Sequence, residues 1–188
     1  MSFTIYNDDC INILKSIDTG SIDLIVTDPP YELENHGGGK SDLASRELCS
    51  NTDSFVGFMS NGFDYDSIFN EFIRVCKIPN MYIFCSNSQV SKIMSFFENK
   101  NIPTTLLAWN KTNPIPFCNG KHLSDLEFIV FVHGKGSAFN NDTPFEYKRK
   151  LYQSQTVSKK DRIHTAQKPV ELLKQYIYSY RQIKVIQF

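Results

Sequence analysis

Ser21-Ile22-Asp23-Leu24-Ile25-Val26-Thr27-Asp28-Pro29-Pro30-Tyr31 reads as a buried strand that stops at an acid, two prolines and a tyrosine. The near-continuous apolar run over Ile22 to Thr27 marks a strand covered on both faces, as in a parallel sheet. A chain that needed only to turn would use Gly, Asn or Asp. Two consecutive prolines stiffen the exit instead, because each fixes its φ and lacks an N–H. They leave Asp28 and Tyr31 on a backbone with little freedom. In open α/β sheets, ligands bind beyond the carboxyl ends of strands, so residues 28–31 are the first candidates for a site. The plain alternative is a Pro-Pro turn with an incidental acid. A specified four-residue match, at a usage of about 5% per residue type, arises by chance in about one chain of this length in a thousand.

Outward from this strand, elements alternate. Phe3 to Tyr6 alternates and predicts a short strand. Asp8 or Asp9 can cap a helix that carries Ile11, Leu14 and Ile17 on one face. Asp66 to Lys77 has Phe69, Phe72, Ile73 and Cys76 at helical spacing, and Asn80 to Cys85 reads as a strand. Ser88 to Lys100 predicts a helix with Val90, Ile93, Met94 and Phe97 inward. Thr104 to Trp109 and Leu126 to Val132 read as strands. Pro169 opens a helix at its favoured first position, with Leu172, Leu173, Tyr176 and Tyr180 along it. Ile183 to Phe188 is strand-like. Strands alternating with helices predict an α/β fold with a mainly parallel sheet. Residues 32–63 are polar and weakly periodic, the pattern of a lid or binding loop. Residues 140–164 form a second polar, partly basic stretch.

At 188 residues the chain fits one domain, 1–188, and 41% hydrophobic residues suffice for a core. No apolar run approaches the roughly 20 residues of a membrane span, and MSFTIYNDDC lacks a signal-peptide layout. A cytoplasmic protein is the expectation. The five cysteines are odd in number and hold no CxxC pair, so free thiols are expected rather than disulfides or a zinc site. A net charge of zero means that nucleic-acid binding has to be argued locally.

DPPY resembles the catalytic motif of DNA amino-methyltransferases, which move a methyl group from S-adenosylmethionine to an exocyclic amine of adenine or cytosine. Three further segments resemble that family in order: Asn7-Asp8-Asp9-Cys10 through Leu14, the stretch Leu107 to Pro116 (LAWNKTNPIP) followed by Leu123 to Phe131 (LSDLEFIVF), and His164 to Ile177 (HTAQKPVELLKQYI). Their order, with DPPY towards the N-terminus, is that of the circularly permuted beta class. The resemblance implies a Rossmann-like methyltransferase sheet with helices on both faces, S-adenosyl-L-methionine as cofactor and double-stranded DNA as partner. It implies adenine as the target, because cytosine enzymes more often carry Ser in place of Asp28.

The chemistry explains the motif. An exocyclic amine is a poor nucleophile, since its lone pair is delocalised into the ring. Acceptors aimed at its hydrogens favour a tetrahedral nitrogen. Asp28 and the Pro29 carbonyl can accept them, and a Pro29-Pro30 backbone offers acceptors only. The base must be flipped out of the duplex, and Tyr31 is the expected stacking platform.

Other segments have two readings each. Asp9 could accept from the cofactor's adenine amine, as the resemblance implies, or simply cap a helix. His164, Gln167 and Lys168 precede a helix start at Pro169, a natural place for the cofactor's carboxylate. Trp109-Asn110-Lys111 could be a DNA-facing aromatic and base, or a strand end with a half-buried Trp, and the second is favoured. Tyr147 to Arg162 holds six basic residues against one acid. Lys148, Arg149, Lys150, Lys159 and Lys160 are candidate phosphate contacts within a recognition segment over 140–164, against a merely solvated loop.

The resemblance also implies a strand after the HTAQKP helix that leads into a glycine-rich cofactor loop. Ile183 to Phe188 supplies the strand, and no glycine follows it. Gly37-Gly38-Gly39 does not follow a strand into a helix and is no substitute. The sheet is therefore expected to be incomplete at the C-terminus. Phe3 to Tyr6 sliding in, a homodimer or partner chain supplying a strand, or a frayed edge are the outcomes left open. The alternatives to an adenine enzyme are a non-catalytic DNA-binding remnant or subunit, methylation of cytosine, and a methyltransferase for other amines.

Overall fold

The computed structural model describes residues 4–31, 64–116, 122–137, 139, 142–158, 160–164, 166–178, 180 and 185–187. The candidate lid, 32–63, and Lys159 lie outside them. The elements in chain order are α1 (Cys10–Ser16), β1 (Leu24–Thr27), α2 (Tyr65–Val75), β2 (Asn80–Cys85), α3 (Asn87–Glu98), β3 (Thr104–Lys111), β4 (Leu126–His133), a 3-10 turn (Phe145–Lys148), β5 (Leu151–Ser154), α4 (Val170–Tyr178) and β6 (Val185–Gln187). One six-stranded sheet takes the order β5-β3-β4-β2-β1-β6. Three of its five pairings are parallel: β1 with β2, β1 with β6, and β3 with β5. The strand β4 runs against both of its neighbours, so the sheet is mixed.

Period-two alternation on the inner strands divides the core between the two faces. Ile25, Met81, Ile83, Cys85, Val130 and Val132 meet α1, α2 and α3 through Leu14, Phe69, Phe72, Ile93 and Phe97. Leu24, Val26, Tyr82, Phe84 and Ile129 meet α4 on the other face, through Leu172 and Tyr176. All of β1 and β2 is buried, which is why both read as continuous apolar runs. Burial pushes the Cys76 and Cys85 thiols up to about 12, so both stay protonated, as structural thiols do.

The seating of α4 matters most for the site. The Tyr82 ring is stacked between Phe131 and Tyr176, with centroids at 4.5 and 4.3 Å. Tyr180, just past the helix, donates to the buried Asn80 Oδ1 at 3.0 Å, and Asn80 Nδ2 donates to the Asp23 carbonyl at 3.0 Å. At the other end of the chain, Asp9 is the N-cap of α1 and accepts from the Ile11 N–H at 2.8 Å. Arg74 ties α1 to α2 by donating to the carbonyls of Leu14 and Ile17 at the C-terminal end of α1, at 2.7 and 2.9 Å.

Two expectations need correction, and one segment holds unannounced elements. Residues 4–6 of the expected Phe3 to Tyr6 strand form no ladder, and Ile5 and Tyr6 are exposed. Four alternating residues gain little as a strand without a neighbour to bond, and β6 bonds only to β1 among the described residues. The polar, partly basic 140–164 stretch contains two elements that the sequence did not announce, the 3-10 turn and β5. The strand is only four residues, LYQS, and follows a basic run, so no apolar pattern marks it, and an edge strand needs few apolar residues. Trp109 is fully buried rather than half-buried, with its Nε1 donating to Ser154 Oγ at 2.9 Å.

A candidate active site at the end of strand β1

Antiparallel β4 brings its first residues to the end of the sheet where β1, β2 and β3 finish. Glu127 lies opposite Trp109 and Phe128 opposite Cys85. Lys111, the last residue of β3, and Asp28, the first after β1, reach the same end. Lys168 enters it from the turn that precedes α4.

Four charges meet there. The Lys168 ammonium lies 3.0 Å from Asp28 Oδ2 and 2.8 Å from Glu127 Oε2, and its side chain is only 8% exposed. Lys111 Nζ lies 2.6 Å from Glu127 Oε1. Two carboxylates and two ammoniums thus balance, as a desolvated cluster requires. Lys168 also donates to the Tyr31 hydroxyl at 3.2 Å and stands over the rings of Tyr31 and Phe84, 5.2 and 5.3 Å from their centroids, a favourable cation–π placement. The Tyr31 hydroxyl in turn faces Glu127 Oε2 at 3.4 Å.

The electrostatics follow from burial and neighbours. Burial, then the Asp28 and Glu127 carboxylates, push the Tyr31 phenol far above its ordinary range, so it stays protonated. Burial opposes the charge of Glu127, but Lys168 and Lys111 outweigh it and hold its carboxyl below the usual range.

The acceptors divide unevenly. Asp28 Oδ2 is taken by Lys168, whereas Asp28 Oδ1 is buried with no hydrogen-bond partner among the described residues. The Pro30 carbonyl accepts from the Tyr65 hydroxyl and from Gln89 Nε2. Among the described residues, no hydrogen bond reaches the carbonyl of the buried Pro29. A buried acceptor left unpaired costs about 1–3 kcal/mol; among the described residues Asp28 Oδ1 is such an atom, and the Pro29 carbonyl beside it receives no hydrogen bond.

The expected residues separate into groups. Asp28, Pro29, Pro30, Tyr31 and Lys168 come together, although Lys168 was expected beside a cofactor anion and is committed to carboxylates instead. Asp9 has no hydrogen bond or ion pair to this cluster among the described residues. His164 is exposed, and its Nδ1 accepts from the Ala166 N–H at 3.2 Å. Gln167 Oε1 accepts from the Ile163 N–H at 2.9 Å, closing the same turn. The Pro169 carbonyl accepts the first bonds of α4, from Leu172 and Leu173, so the helix begins one residue later than expected.

Lys148, Arg149, Lys150 and Lys160 are exposed. The first three line a pocket of about 210 Å³ with Tyr82, Phe131 and Tyr176. Because β5 runs parallel to β3 and Ser154 pairs with Lys111, Lys150 lies about 13 Å back along the strand from the Lys111 end. Lys160 follows β5 and lies in the segment that returns towards Lys168. Sequence reasoning missed Glu127 as a site residue, and it weighed Lys111 only as a DNA-facing base and not as a partner of that acid. The available signal was a lone acid in the apolar run LEFIVF, since a charge so placed needs a partner.

Residues 22–184 match the family model described as DNA methylase. The chain is 27% identical to the type II methyltransferase M.HinfI of Haemophilus influenzae, over 94% of this chain and 55% of that one. It thus spans about half the length of that relative. The fold resembles the M1.HpyAVI–SAM complex, with a TM-score of 0.65 and 21% identity over 97% of this chain and 80% of that one. It equally resembles the cytosine-N4-specific PvuII DNA methyltransferase, with a TM-score of 0.65 and 15% identity over 97% and 72%.

Lys168→Met leaves two carboxylates around one remaining cation. The variant is expected to lose about 3 kcal/mol of stability at pH 7.5, measured by urea unfolding. The sign of its pH dependence follows from Glu127. A carboxyl held low stabilises the fold above its unfolded value and loses that contribution as pH falls through the folded one. Without Lys168 the depression is weakened, with Lys111 alone left to sustain it, so the gap between parent and variant should narrow as pH falls through the carboxylate range.

Proposed function

The chain belongs to the DNA methylase family, and from that premise we propose that it transfers a methyl group from S-adenosylmethionine to the exocyclic N6 amine of adenine in double-stranded DNA. The observation that carries this reading is the pair of acceptors at the carboxyl end of a strand, Asp28 Oδ1 and the Pro29 carbonyl, that have no partner among the described residues. An amine hydrogen-bonded through both hydrogens is drawn towards a tetrahedral nitrogen, and its lone pair is freed. Lys168 holds Oδ2, so Oδ1 is the oxygen that faces the amine and takes the hydrogen shed by the nitrogen as it gains the methyl. Tyr31, stiffly placed after Pro30, stacks the flipped base. Placement of this kind supplies much of the rate in a group transfer.

The fit of the cofactor rests on donors and acceptors already on the chain. Asp9, with one oxygen on the Ile11 N–H, offers an acceptor for an adenine amine. The Val170 and Glu171 amides precede the first internal bonds of α4 and offer donors for a carboxylate. His164 and Gln167 shape the turn that presents them. Bound there, S-adenosylmethionine would supply a methyl group activated on a sulfonium. For the DNA, Lys148, Arg149, Lys150, Lys159 and Lys160 are the proposed phosphate contacts, with the last two nearer the base pocket in sequence.

Cytosine N4 is the second reading, favoured by the likeness to the PvuII fold. Asp28 in place of Ser supports adenine. A non-catalytic remnant gives no reason to keep Asp28 Oδ1 buried without a partner among the described residues.

Two measurements test the proposal. Labelled methyl incorporated into DNA, followed by nucleoside analysis, is expected to appear as N6-methyladenine, and Asp28→Ala is expected to reduce it by at least about a thousandfold, some 4 kcal/mol in transition-state stabilisation. Label in cytosine would select the second reading, and undiminished label in the variant would remove Asp28 from the mechanism. Neutralising Lys148, Arg149 and Lys150 together is expected to lower the slope of log affinity against log salt by up to about 2.7, at about 0.9 per phosphate contact. An unchanged slope would return these residues to a solvated surface.

A further inference from the structure

Pro29 and Pro30 create a problem that the methyl-transfer reading does not address. A tight turn is normally fastened by its own amide hydrogens, and two successive prolines supply none. The only backbone handles left at Pro29 and Pro30 are carbonyls, and a carbonyl can be held only by donors brought from elsewhere.

Two side chains bring them. Gln89, in the first turn of α3, is 1% exposed, and all four of its hydrogen-bonding sites are used. Its Oε1 accepts from the Ser86 N–H at 3.0 Å and the Ser86 hydroxyl at 2.8 Å. Its Nε2 donates to the Pro30 carbonyl at 3.2 Å and to the Tyr65 hydroxyl at 2.6 Å. Tyr65, the first residue of α2, passes its own hydroxyl hydrogen to the same Pro30 carbonyl. Reversing the Gln89 amide would set acceptor against acceptor at Pro30 and donor against donor at Ser86, so the network fixes its orientation.

We propose that Gln89 and Tyr65 are positioning residues for methyl transfer: by filling both lone pairs of the Pro30 carbonyl, they anchor the Asp28–Tyr31 turn and leave the Pro29 carbonyl as the backbone acceptor for the target amine. The inference deepens the proposed function and rests on it for its catalytic part. Two donors on one carbonyl exhaust its acceptor capacity. Pro30 is therefore excluded from gripping the amine, and Pro29, one residue nearer Asp28, is selected. The anchor spans three elements, the starts of α2 and α3 and the end of β1. A buried network in which every group is satisfied is rigid, which suits a turn whose acceptors must be in place before the base arrives.

Tyr65→Phe removes the hydroxyl and keeps the ring, which packs on Phe69 at 5.7 Å. Gln89→Leu removes the whole bridge. Two readouts apply to the full chain. In single-turnover methyl transfer, Tyr65→Phe and Gln89→Leu are expected to lower the rate constant by about 10- to 100-fold, with KM for DNA within about twofold of the parent. In hydrogen exchange by mass spectrometry, both variants are expected to speed exchange at Asp28 and Tyr31, the only amides in the turn, while the β2 and β4 amides keep the parent's rates. The second readout stands even if the parent transfers no methyl to DNA, a result that would sink the proposed function and not the anchor. Parent-like exchange at Asp28 and Tyr31 in both variants would overturn the anchor. Faster exchange without loss of rate, in a parent that transfers methyl, would overturn its catalytic role. Should Gln89→Leu fail to fold, Tyr65→Phe decides both points.

Discussion

One buried ammonium holds the site together. Lys168 lies between Asp28 and Glu127 at 3.0 and 2.8 Å, and these three residues come from widely separated parts of the chain. Ionised groups out of water are tolerated only when each has partners. The end of β1, the start of β4, the end of β3 and the approach to α4 must therefore arrive together or not at all. The antiparallel course of β4 is part of this constraint. Were β4 parallel, Glu127 would sit at the far end of the sheet and Lys168 would have a single carboxylate.

The seating of α4 serves the same end. Tyr176 on Tyr82, Tyr180 on Asn80, and Gln175 on the carbonyls of Tyr147 and Arg149 fix the helix on the sheet, and with it the turn that carries Lys168. The charge cluster pins one oxygen of Asp28, and Gln89 with Tyr65 pins one carbonyl of the proline pair. Each clamp leaves one neighbouring acceptor open. Among the described residues these two acceptors, Asp28 Oδ1 and the Pro29 carbonyl, have no partner, and under the proposed function they meet the two hydrogens of the target amine. Preorganised acceptors of this kind need no rearrangement at the moment of reaction.

Much of this was legible in the sequence. Strands over Leu24–Thr27 and Asn80–Cys85 and the helices that flank β2 follow from apolar period and caps, because core burial dominates there. The Asp28 to Tyr31 turn stood out because two prolines after an apolar strand are chemically specific. What could not be read was pairing across distance. Glu127 sits in the apolar run LEFIVF, yet nothing local says that its partners are Lys111 and Lys168. The turn before α4 suggested an anion site for Lys168, and only the sheet topology brings it to the carboxylates. The short β5 (LYQS) was masked by the basic run Lys148 to Lys150 just before it and by its own lack of an apolar pattern. Phe3 to Tyr6 alternates as a strand should, but its first described residues find no ladder to join, so propensity without a neighbour misled.

The central claim is that the Asp28–Lys168 charge pair builds the site. A double-mutant cycle measures it directly, with Asp28→Asn and Lys168→Met made singly and together and stability followed by urea unfolding at pH 7.5. The account predicts that Lys168→Met costs less when Asp28→Asn is already present, with a coupling energy of about 1–3 kcal/mol, as expected of buried partners in contact. Additivity of the two substitutions within about 0.5 kcal/mol would contradict it.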